Sequence, residues 1–328
     1  MIRHLLLMTA VLVSGSNLSG QPVTRLDAVA GVPQIDNTTQ TQDIAFRNRY
    51  DDRMTVAVRL AGTGPYQFLV DTGANRSAVS SAIVAKLNLT PGAAVTLHST
   101  TGSTVVNTAR VPSLELTQPP QKQIEAAVLE GVNMGADGIV GADVLRSQRV
   151  QFDFEKKIMS VVPSRTADFR DEPGTIVIEA RRKNGRLIVT DAVADGQPLT
   201  IVLDTGSDLC VGNQALRDAL VRRSLIDARQ TVQLQSVTGG VVSGDYMFVR
   251  RLEIGGIDLD RLAVVFAEVH TFKQLKLENK PTLLLGMNAF RAFKKVSIDF
   301  ANLKFRVVLP EHSELGSQLA WHAVKPLQ

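Results

Sequence analysis

Apolar residues along most of this chain either alternate with polar ones or gather in short β-branched runs closed by Gly, Pro or Asn. The segments 54–60, 67–70, 158–162, 187–193, 200–203, 231–234 and 305–309 carry the two-residue period of strands. A helical period is confined to four short stretches, 81–87, 142–147, 214–225 and 288–293. The pattern predicts a mainly β protein.

The elements repeat. Tyr66-Gln-Phe-Leu-Val-Asp71-Thr72-Gly73-Ala74 in the first half is answered by Leu199-Thr-Ile-Val-Leu-Asp204-Thr205-Gly206-Ser207 in the second. Thr101-Gly102-Ser103 matches Thr238-Gly239-Gly240, and Ile139-Val140-Gly141 matches Leu284-Leu285-Gly286. Val150-Gln-Phe-Asp153-Phe154 matches Val296-Ser-Ile-Asp299-Phe300. Landmarks that recur in one order with slowly growing offsets indicate a duplicated domain whose second copy has longer loops. Two pseudo-symmetric β-barrel-like lobes with a cleft between them are therefore expected, at residues 44–163 and 174–310. A Pro- and Asp-containing linker at 164–173 would join them, and a tail would run from 311 to 328.

Residues 1–20 read as an export signal: Arg3 and His4, an apolar stretch from Leu5 to Val13, then small residues. Residues 21–43 are polar and turn-rich and read as a spacer. The signal, and an exported chain with a single cysteine, point to the bacterial periplasm or the medium. Cys210 alone can form neither an internal disulfide nor a cysteine-rich metal site, and it reads as a small buried hydrophobe. A net charge of +4 over 328 residues makes no case for nucleic acid. No phosphate loop and no HExxH stands in the chain, the histidines lack ligand spacing, and no metal or cofactor is expected. The basic group Arg181, Arg182, Lys183 and Arg186 reads as the solvated tip of a hairpin.

Each Asp-Thr-Gly follows an apolar strand, which puts a carboxylate where a buried strand must turn sharply. In a two-fold arrangement Asp71 and Asp204 would meet near the axis. Two such carboxylates cannot both ionise cheaply, so they share one proton and titrate as a unit. The ionised partner then takes a proton from water while the protonated one polarises a carbonyl. Ser207 can donate a hydroxyl to its carboxylate, whereas Ala74 cannot.

On these motifs residues 53–310 resemble the retropepsin-like and pepsin-like aspartic peptidases, in a bacterial form with both copies on one chain. The resemblance implies an aspartic endopeptidase with Asp71 and Asp204 as its dyad. It implies that the Thr72 and Thr205 hydroxyls bond across the lobe interface, and that Gly73 and Gly206 offer amides to the carboxylates. Gly141 and Gly286 would close the motif, and Thr101, Gly102, Ser103, Thr238, Gly239 and Gly240 would lie on flap hairpins over an extended peptide. With no tyrosine at either flap position, two retropepsin-like flaps fit better than one pepsin-type flap. Both half-sites lie on one chain, so a monomer would suffice. Two other readings stay open: a non-catalytic peptide-binding module, and a purely structural duplicated β domain.

Overall fold

A computed structural model describes residues 55–116, 121–166, 172–222 and 230–310, together with the strand Thr24–Asp27. In the first half, six strands close into a barrel in the order Thr55–Leu60, Thr63–Val70, Gly138–Val140, Ala78–Ser80, Gln121–Leu129 and Thr108–Glu115. The ring is completed where Arg59 pairs with Glu115 and Leu60 with Leu114. Inward positions Val56, Val58 and Leu60 on one strand and Tyr66, Phe68 and Val70 on the next are buried, as strict alternation demands.

The second half repeats this barrel with one break. Its first strand is split into Arg186–Val189 and Ala192–Ala194, because the exposed Thr190 and Asp191 step out of the ladder. The pairings on either side keep the first lobe's register: Ile188 pairs with Val202 as Thr55 does with Leu69, and Ala192 pairs with Ile254 as Arg59 does with Glu115. The unbroken strand expected at 187–193 is thus corrected to two. The helices are shorter than their sequence pattern, Ser81–Lys86, Ala142–Leu145, Gln214–Val221 and Met287–Phe290. Residues 223–225 of the expected 214–225 helix lie outside the described residues.

The two halves are joined by a five-stranded sheet in the order Ile158–Pro163, Gln148–Asp153, Lys295–Asp299, Lys304–Val308 and Thr175–Glu179. At its centre the repeated motifs pair antiparallel, Arg149 opposite Asp299 and Asp153 opposite Lys295. Each motif thereby offers its basic end to the acidic end of the other. Arg149 and Asp299 are almost fully buried, 3.8 Å apart. This shared sheet fixes the two lobes on either side of one axis. Leu187, Leu203 and Phe290 of the second half join Val58, Phe68 and Val150 of the first in a single core.

The segment 21–43 is not spacer throughout. Thr24–Asp27 adds as a parallel strand beside Ile257–Asp260 of the second barrel, so its backbone groups are satisfied by an existing edge rather than by a core of its own. The rest of that segment, the signal at 1–20, the linker residues 167–171 and the tail 311–328 lie outside the described residues.

Candidate active site

In each lobe a short central strand is wedged between two others, and this geometry places the acids. Gly138–Val140 runs parallel to Phe68, Leu69 and Val70 and antiparallel to Ala78 and Val79. Thr282–Leu285 lies likewise beside Thr200–Leu203 and against Val211 and Gly212. The wedge ends in a last ladder bond, from Asp71 N to Val140 O at 3.0 Å and from Asp204 N to Leu285 O at 3.1 Å. Beyond it both chains turn away, leaving two carboxylates face to face.

The glycines of the motif are required by crowding. A Cβ on Gly73 would stand 2.6 Å from Asp204 Oδ1, and one on Gly206 would stand 2.4 Å from Asp71 Cγ. A Cβ on Gly141 would meet the Arg76 carbonyl at 2.7 Å, and one on Gly286 the Leu209 carbonyl at 2.5 Å. Gly141 N donates to Ser77 Oγ at 3.0 Å, and Gly286 N to Cys210 Sγ at 3.2 Å. Cys210 is therefore the two-fold counterpart of Ser77. Burial pushes its thiol up to about 12, which keeps it neutral.

A cross-lobe lattice holds the loops level. Thr72 Oγ1 donates to Leu203 O at 3.0 Å and accepts from Thr205 N at 3.1 Å, while Thr205 Oγ1 donates to Val70 O at 2.6 Å and accepts from Thr72 N at 3.1 Å. Within the loops, Gly73 N and Ala74 N donate to Asp71 Oδ1 at 2.7 and 2.9 Å. Gly206 N donates to Asp204 Oδ1 at 3.1 Å, and Ser207 Oγ to Asp204 Oδ2 at 2.9 Å.

Burial, and then the charge of Asp204, raise Asp71 from its ordinary value to about 7. Burial likewise raises Asp204, against the Ser207 hydroxyl and the cation of Arg186. Burial and mutual repulsion thus both disfavour ionising the two carboxyls together.

The residues expected on flaps lie on two hairpins that meet over the cavity bearing both acids. Thr101, Gly102 and Ser103 sit at and beside the tip joining Val95–Ser99 to Gly102–Val106. Thr238, Gly239 and Gly240 form the turn between Gln230–Gln235 and the long strand Val241–Ile254. Thr238 Oγ1 donates to Ser99 Oγ at 3.2 Å across the gap. Beneath them lies a cavity of about 310 Å³ with both acids in its wall. Ala78, Leu129 and Ile139 give it one apolar side, and Val211, Leu234 and Leu284 the other.

Family models match both halves. Residues 56–147 match the model described as "gag-polyprotein putative aspartyl protease", and residues 190–289 the one described as "aspartyl protease". The chain belongs to the retropepsin-like aspartic peptidase family. Each match falls on one lobe and contains one Asp-Thr-Gly. No curated protein matches the chain.

Three features of this aspartic peptidase escaped the sequence. Arg186 is not at a solvated hairpin tip: Arg181 and Arg182 are exposed, but Arg186 is only 5% exposed and lines the cavity. Its Nε donates to Gly73 O and its Nη1 to Gln274 Oε1 at 2.8 Å. A signal was present, since Arg186 opens the run Leu187-Ile188-Val189, which is buried on both faces. Gln274 belongs to the helix His270–Gln274, which no periodicity announced. From the same helix His270 Nε2 meets His98 Nδ1 of the first hairpin at 2.8 Å, and His270 N donates to Thr100 O at 2.9 Å.

Proposed function

We propose that this chain is an exported, monomeric endopeptidase that hydrolyses internal bonds of extended peptides with apolar side chains near the cut. The observation that carries the reading is the pair Asp71 and Asp204, brought together by the Thr72–Thr205 lattice and kept from ionising together by burial. The ionised carboxylate takes a proton from a water held between the two acids. The water oxygen bonds to the scissile carbonyl carbon while the other carboxyl donates its proton to the carbonyl oxygen, giving a neutral diol. Return of a proton to the amide nitrogen breaks the C–N bond and yields an acid and an amine. No covalent enzyme intermediate forms. The apolar walls on the two sides of the acids support apolar neighbours at the cut, and the hairpins supply backbone to pair with an extended substrate. Completeness of both half-sites on one chain supports a monomer. Residues 1–20 support export, and among the described residues no helix is long and apolar enough to cross a membrane.

The test is cleavage of a diverse peptide pool by the purified chain from acid to neutral pH, beside Asp71→Asn and Asp204→Asn. Cutting by the wild type alone, with a bell-shaped pH profile, is the expected result. A folded wild type that cuts nothing but retains peptides would leave a binding module in its place. Fractionation of expressing cells, with sizing of the released protein, checks export and the monomer.

A further inference from the structure

The peptide linking Gly73 to Ala74 connects a cation to the acids. Its carbonyl accepts from Arg186 Nε, and its N–H donates to Asp71 Oδ1 at 2.9 Å. A charge-assisted bond to a carbonyl polarises the whole amide and strengthens the bond its N–H makes. Arg186 is held for this task by Gln274 Oε1 on its other side, and only 5% of it is exposed. The residue packed against the neighbouring Gly185 is Asn75, an amide, so no carboxylate at that position takes the guanidinium's charge. Asp71 and Asp204 are the acids whose field acts on Arg186. The other ionisable side chains lining the cavity are Arg76 and Asp208, close to the two acids in sequence, and His98 on the first hairpin. Arg186 lies outside both segments matched by the family models. Arg53, its counterpart in the repeat, lies outside the described residues.

We propose that Arg186 is a positioning residue that acts on Asp71 through the Gly73–Ala74 peptide, and on both acids by its charge, to set the pH range in which the pair holds a single proton. Its cation favours the singly ionised pair over the doubly protonated one. It favours the doubly ionised pair over the singly ionised one as well. Removing it therefore moves both limbs of the activity profile to higher pH.

This inference rests on the peptidase reading, and two measurements separate them. The first is the pH profile of kcat/KM, which reports the free enzyme, for the full chain and for Arg186→Met, Arg186→Lys and Gln274→Leu. Arg186→Met should shift both limbs upward by about one pH unit. Arg186→Lys, which keeps the charge but cannot reach both acceptors, and Gln274→Leu, which frees one side of the guanidinium, should shift them less in the same direction. The second is direct titration of the aspartate carboxyls by carbon NMR in wild type and Arg186→Lys, which needs no turnover. Limbs and carboxyl titrations that stay in place, whether or not overall activity falls, would overturn the role of Arg186. A wild type that cuts nothing would overturn the peptidase reading, and the carboxyl titration would still decide for or against Arg186.

Discussion

At the first Asp-Thr-Gly loop, Asp71 Oδ1 takes two backbone amides, and Arg186 backs the peptide that supplies one of them. At the second, Asp204 takes one amide and the hydroxyl of Ser207. The backbones of the loops are near copies, because the threonine lattice works only if both strands end level. The side chains are free to differ, and they differ where a donor meets a carboxylate. Identical environments would leave the shared proton evenly placed. Unequal donors bias it toward one carboxylate.

The largest effect comes from abolishing the pair. Asp71→Asn and Asp204→Asn should each lower kcat/KM by about 10³-fold or more, measured as peptide cleavage. Stability should move the other way. A carboxyl raised from 3.8 toward about 7 binds its proton more tightly folded than unfolded, so wild-type stability falls as pH rises through that window. Asp71→Asn is released from this penalty. Its melting temperature should equal or trail that of the wild type near pH 4 and exceed it by a few degrees near pH 7.

The lattice offers the next comparison. Thr72 is fully buried and Thr205 only half-buried. Thr72→Val strands Leu203 O and Thr205 N without partners and should cost about 2–4 kcal/mol in urea unfolding. Thr205→Val strands Val70 O and Thr72 N, but at a half-buried side chain where water can reach, and should cost less. Equal losses would show that the lattice does not distinguish the loops.

Smaller effects follow from exchanging the unequal donors. Ser207→Ala withdraws a donor that favours the ionised form of Asp204 and should lower kcat/KM by about 3–10-fold while raising the acid limb of its pH profile. Ala74→Ser should lower that limb. The two hairpins give the smallest contrast. The first is tied to the other lobe by the His98–His270 bond and by Thr100 O, whereas the second touches across the gap through Thr238. His98→Ala should raise KM by about 5-fold, the worth of one net hydrogen bond, and Thr238→Ala by less.

Much of this site is written in local sequence. The paired Asp-Thr-Gly motifs, the later glycines and the strand pattern of 67–70 and 200–203 each reflect short-range constraints. Such constraints comprise an apolar strand, a turn, and a position with no room for a Cβ. Cys210 as a buried hydrophobe also follows from its place in an apolar run, and its pairing with Ser77 needs only the repeat. The place of Arg186 is not legible in this way, because a basic residue near Arg181, Arg182 and Lys183 gives the same local pattern whether it faces water or the cleft. Its partners Gly73 and Gln274 lie 113 and 88 residues away. The helix His270–Gln274 is too short for periodicity to reveal.

Neighbouring residues alone fix a duplicated β protein with an acid at equivalent points of each copy, because the repeat and the two-residue period are local properties. How the copies face each other is settled by packing between them. The shared sheet, in which Arg149 meets Asp299 and Asp153 meets Lys295, sets the axis. That axis turns two remote carboxylates into one titrating pair and brings Arg186 to the loop beside them. Coulomb interactions and hydrogen bonds act over a few ångströms, and which groups fall within that reach is a matter of packing between lobes rather than of order along the chain.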